Sequence, residues 1–126
     1  MNIRRFGPGH RRADRAAGSQ GVLSSAIFSN DVAQITEFTV TPGGTYGPLR
    51  SAGDVVLVVI EGGGCVTAHD SQMHLAAGES LHLERLTPYS VAARELPLRA
   101  ILVELSAGSG AESARTISAS GGSAEE

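Results

Sequence analysis

The chain has 126 residues, 41% of them hydrophobic, which is enough for one compact domain with a core and too little for two. Aromatic residues make up only 4% and tryptophan is absent, so that core has to be assembled from Val, Leu, Ile and Ala. A net charge of -3 argues against nucleic acid as a partner, no apolar run reaches membrane-spanning length, and a lone Cys65 excludes an intrachain disulfide. With no signal-peptide h-region at the N-terminus, the expectation is a soluble protein of the reducing cytoplasm, away from nucleic acid and membrane.

Residues 1–21 form a basic arm without apolar periodicity, carrying Arg4, Arg5, Arg11, Arg12 and Arg15. It is expected to be solvated and to pack partly on its own domain or across a dimer. Two strand-like runs follow, "GVLSSAIFS" and "VAQITEFTV", divided by the turn pair Asn30-Asp31. "TPGGTYGP" then interrupts the pattern with two prolines and three glycines. The run Val55 to Ile60 is β-branched and bracketed by glycine, which marks a strand ended by a turn at "IEGGG".

Next come "CVTAH", a turn at "DSQ", then "MHLAAGE", "SLHLE", "YSVAA" and "LRAILVEL". Residues 106–126, rich in Ser, Gly and Ala, read as a disordered low-complexity tail. No stretch carries a sustained helical period. Short, evenly spaced strands punctuated by Gly and Pro predict an all-β sandwich or barrel over residues 22–105.

The strings "TPGG", "DVVLVVIEGGG", "AAGESLHLE", "LTPYSV" and "LRAILVEL" resemble the small single-domain cupins, which are jelly-roll β-barrels. That resemblance implies a cupin-type barrel and, in its usual form, a metal held by two histidines of a first motif and one of a second. Counting from Gly62 places the paired histidine positions on Leu49 and Ser51 and the usual glutamate at Val55, beside Asp54. Counting from Gly78 places the third histidine on Tyr89, with Glu84-Arg85-Leu86 where the family has a Pro-x-Gly turn.

A first-row metal needs three or four converging N, O or S donors, and these replacements do not supply them. No metal and no cofactor are therefore expected. His69 and His74 are placed opposite one another across a hairpin, as an ordinary cross-strand pair.

What remains is an apolar cavity with a few polar groups, a common setting for a small-molecule site. Tyr89 is the first candidate catalytic residue, as a proton donor or a hydrogen-bond donor to a developing enolate oxygen, with a plug of the vacated position as the bland alternative. Tyr46 is placed in a glycine-rich loop that closes over a ligand, or else is a surface turn aromatic. Glu84 is a candidate base, against a rim ion pair with Arg85 as the plainer reading. Leu49, Ser51, Val55, Leu57 and Val91 are read as the wall that contacts substrate. Arg50 is read as a carboxylate clamp or as the partner of Asp54. His82 lines the cavity in one strand register and lies outside in the other.

The resulting reading is a metal-independent cupin that isomerises or cyclises a small, largely apolar molecule in secondary metabolism. A non-catalytic ligand-binding or dimerisation cupin is the alternative, and a metal cupin with unusual ligands a minor one. A homodimer is expected in each case, because sheet edges and flat apolar faces need cover. Sugar-nucleotide epimerisation is not expected, since the chain lacks the histidine-bearing motif of that subclass and has little room to recognise a nucleotide.

Overall fold

In the computed structural model, which describes residues 1–107, the chain is a closed antiparallel barrel with no helix among the described residues. Eight strands follow in order: β1 (Arg12–Ala13), β2 (Gln20–Ser29), β3 (Ala33–Leu49), β4 (Val55–Ala68), β5 (Ser71–Ala76), β6 (Ser80–Leu83), β7 (Tyr89–Ala92) and β8 (Leu98–Leu105). The tail expected over residues 106–126 lies outside the described residues beyond residue 107.

Two long strands are shared between the two walls of the barrel. Residues 33–40 of β3 and 55–62 of β4 flank β8, with β2 and β6 at the margins of this first wall. Residues 45–49 of β3 and 65–68 of β4 flank β7 in the second wall, with β5 at its margin. The stretches "TPGGTYGP" and "IEGGG" therefore do not end strands, as their composition suggested, but bend them from one wall into the other. In β4 the register slips between Val59 and Glu61, and Gly62 follows at a φ of 73°. A side chain there would run into the Pro97 carbonyl oxygen, so glycine is required by both backbone and space.

Period-2 alternation sends Phe38 and Val40 of β3, Val55, Leu57 and Val59 of β4, and Leu98, Ala100 and Leu102 of β8 inward, all buried. Each such aliphatic or aromatic side chain larger than alanine contributes on the order of 2 kcal/mol on leaving water. The Asn30 turn forms as expected, its side-chain oxygen accepting the amides of Val32 and Ala33. The hairpin after β4 differs from expectation. It turns at His69 and Asp70, both at positive φ, and pairs His74 with Cys65, so His69 and His74 do not face each other.

The basic arm packs on its own barrel. Arg12 and Ala13 add β1 to the edge of β2, which itself begins at Gln20, before the expected boundary. Glu37, on the outer side of β3, is fully buried beneath Arg11 at 2.6 Å and Arg99 at 2.9 Å. Burial alone raises its pKa, but the two guanidinium groups outweigh that and hold it below the ordinary glutamate value.

Candidate functional site

The four positions singled out by the histidine count gather at one end of the barrel. Leu49, closing β3, is the cross-strand partner of Tyr89, opening β7. Val55, opening β4, is the partner of Glu104, near the end of β8. Ser51, in the loop between β3 and β4, donates its hydroxyl to Glu104 Oε2 at 2.7 Å. Glu104 was not among the residues anticipated, although the sequence carried a signal for it. It continues the inward series Leu98, Ala100, Leu102 by one more alternation, so the last inward side chain of β8 is a carboxylate at the mouth.

Tyr89 is buried, and its hydroxyl has no hydrogen-bond partner among the described residues. Burial and then the Glu104 charge push this phenol above its ordinary value, with the Ser51 hydroxyl opposing them in part. It is a protonated donor with the Ser51 hydroxyl as a polar neighbour but no acceptor in hydrogen-bond geometry among the described residues. Val91, two residues on, and Leu57 of β4 are buried inward in the barrel core.

Tyr46 is neither in a loop nor on the surface. It lies inside β3, packed edge-on against Phe38 with ring centroids 4.8 Å apart. Its hydroxyl donates to Asp14 Oδ2 at 2.6 Å, and Asp14 also accepts from Ser24 Oγ and the Ala16 amide. Burial, the hydrogen bond and the Asp14 charge all raise the Tyr46 pKa. For Asp14 burial acts upward, but the three hydrogen bonds prevail and lower it. Tyr46 is thus engaged by the arm.

The remaining candidates are dispersed. Glu84 is exposed on the turn after β6 and makes no ion pair with Arg85, whose amide instead donates to Asp54 Oδ1. Arg50 is exposed and does not pair with Asp54. Asp54 is buried, and its other oxygen meets His82 Nε2 at 2.8 Å. Leu83 is buried and Leu81 packs on the core, so His82 takes the outer register, with its side chain 39% exposed.

Three hollows open at this end. One, of about 310 Å³, is lined by Gln34, Arg50, Ser51 and Glu104 among others. Another, also of about 310 Å³, is lined by Pro48, Thr67, Pro88 and Tyr89 among others. The third, of about 290 Å³, opens around the edge of β6 that pairs with no described strand, and is lined by Val66, Ala68, Met73, Leu81 and Leu83 together with the polar His69, Ser71, His82 and Glu84.

Cupin-type barrels imply a metal at the four counted positions, and the residues present do not fit one. Leu49 and Val55 offer only carbon, Ser51 gives its proton to Glu104, and Tyr89 is held as a neutral phenol. Among the described residues no three His, Cys, Asp or Glu side chains are grouped to hold an ion.

No family model matches the chain, and no curated protein matches it in sequence. Its structure, by contrast, is similar to many solved ones. The polyketide cyclase RemF from Streptomyces resistomycificus superposes with a TM-score of 0.73 at 19% identity, over 83% of this chain and 80% of that one. A cupin 2 conserved barrel domain protein from Salinispora arenicola gives 0.73 at 14% identity, over 93% and 98%. A predicted oxalate decarboxylase from Thermotoga maritima gives 0.67 at 16% identity, over 75% and 89%. These likenesses establish the fold: the chain is a small cupin-type jelly-roll barrel whose usual histidine positions carry other residues.

Proposed function

We propose that this barrel is a metal-independent catalyst that isomerises or cyclises a small, largely apolar carbonyl compound, as a step of secondary metabolism. One observation carries the reading: the buried, unpartnered hydroxyl of Tyr89 at the third-histidine position. Leaving such a group unsatisfied costs about 1–3 kcal/mol, which a phenylalanine of the same shape would avoid. A ligand oxygen would satisfy it. As a neutral phenol, Tyr89 would hydrogen-bond that oxygen and stabilise the negative charge it acquires as an enolate forms.

The surroundings suit that task. Val55, Leu57 and Val91 share one buried aliphatic cluster with Tyr89, Leu49 packs against it, and Ser51 keeps the Glu104 carboxylate engaged instead of turned on the developing charge. A polyketide cyclase among the similar structures supports cyclisation of a chain bearing several carbonyls as the first reaction to test.

A linear 1,3,5-triketone offered to the purified protein, with ring closure followed by absorbance, is the direct experiment. Turnover that persists after exhaustive chelation, and that falls about 100-fold in Tyr89→Phe, is the expected result. Unchanged turnover in Tyr89→Phe makes Tyr89 a plug. Saturable binding of the triketone with no conversion by the wild-type protein assigns the barrel to ligand binding alone.

A further inference from the structure

We propose that His82 is a general base whose tautomer is set by Asp54, serving the hollow at the free edge of β6. The two residues are 28 positions apart and meet only because β6 pairs with the start of β4, Val56 against His82 and Val55 against Leu83. Asp54 is buried, with one oxygen occupied by the Arg85 amide at 3.0 Å and the other 2.8 Å from His82 Nε2. A carboxylate only accepts hydrogen bonds, so the proton of a neutral His82 ring resides on Nε2. That leaves Nδ1 as the nitrogen with a free lone pair, and Nδ1 has no partner among the described residues.

The same ring lines the hollow whose other walls include Val66, Ala68, Met73, Leu81 and Leu83. A basic nitrogen, a fixed tautomer and an apolar recess in one place are what abstraction of a proton from a weakly acidic C–H requires. The class of substrate follows: a small, mostly apolar molecule with a C–H flanked by two carbonyls. This rests on the reading of the barrel as a catalyst acting on carbonyl compounds, and assigns a proton-taking group to the hollow beside β6, which adjoins the one lined by Tyr89 through Ala68 and His69.

In the step itself the C–H bond between the carbonyls breaks. Its proton passes to Nδ1 and its electron pair to a carbonyl oxygen as the enolate, while Asp54 holds the imidazolium. Return of the proton to carbon restores the diketone. Alternatively, the enolate carbon bonds to a further carbonyl carbon of the same molecule, and the oxygen released as alkoxide takes the proton back from Nδ1.

Two measurements test this, with acetylacetone as the probe. Long-range proton–nitrogen spectra of the imidazoles should show the His82 proton on Nε2, and a proton on Nδ1 overturns the proposal. Exchange of the acetylacetone methylene in deuterium oxide, followed by NMR, should be accelerated by the wild-type protein and slowed about 100-fold towards the buffer rate in His82→Gln. Absence of acceleration by the wild-type protein, or full acceleration by His82→Gln, overturns it.

Asp54→Asn should free the tautomer and lose most of the acceleration. If that variant does not fold, the exposed His82→Gln decides alone. Tyr89→Phe separates the two readings. Loss there with His82→Gln unaffected removes His82 and leaves Tyr89. Loss in His82→Gln with Tyr89→Phe unaffected does the reverse.

Discussion

At the scale of single residues, two buried polar side chains pull stability in opposite directions. Tyr89 keeps a hydroxyl in the interior without a partner, so Tyr89→Phe should raise the unfolding free energy by about 1 kcal/mol in urea titrations while it lowers turnover. Glu37 is the opposite case, fully buried and met by Arg11 and Arg99. Glu37→Gln would leave two guanidinium groups facing a neutral amide and should cost about 3 kcal/mol. Because the folded pKa of Glu37 is lowered, its stabilising contribution is complete above the unfolded value and is lost as pH falls through the folded one. The wild-type protein should therefore lose stability below about pH 4.5, with a flatter acid limb in Glu37→Gln, as measured by chemical denaturation at each pH.

At the scale of elements, strand content was legible and strand ends were not. β2, β6, β7 and β8 coincide closely with runs of alternating or β-branched residues. The glycine clusters of β3 and β4 looked like breaks because glycine and proline do end strands in flat sheets. In a barrel of two walls they are where a strand turns the corner. Gly62→Ala should test this, combining a positive φ with a clash against Pro97, at a cost of about 3 kcal/mol or failure to fold. Asp14 shows what remained hidden, since its bond to Tyr46 spans 32 positions and follows from no local pattern. Asp14→Ala should free residues 14–19 from the barrel, seen as faster proteolysis between Arg12 and Arg15, with about 1–2 kcal/mol lost.

For the molecule as a whole, the convergence of Leu49, Ser51, Val55 and Tyr89 was legible, because glycines at fixed offsets anchor both motifs to one frame. The Glu104 contact and the His82–Asp54 pair were not, since each depends on which strands are neighbours and in what register. If the frame is intact and only the donors differ, restoring imidazole at Leu49, Ser51 and Tyr89 together should create tight zinc binding in calorimetric titration, absent from the wild-type protein.

The arm has one more consequence. It lies along the seam between β2 and the far half of β3, with Ala16 packed on the core and Ser19 Oγ accepting the Gly47 amide. That side of the barrel is stitched shut, while the seam between β5 and β6 is crossed by no strap among the described residues and borders the hollow lined by Met73, Leu81 and His82. A product that kept the substrate's apolar body would compete for that same recess, so it should inhibit competitively, raising KM and leaving kcat unchanged.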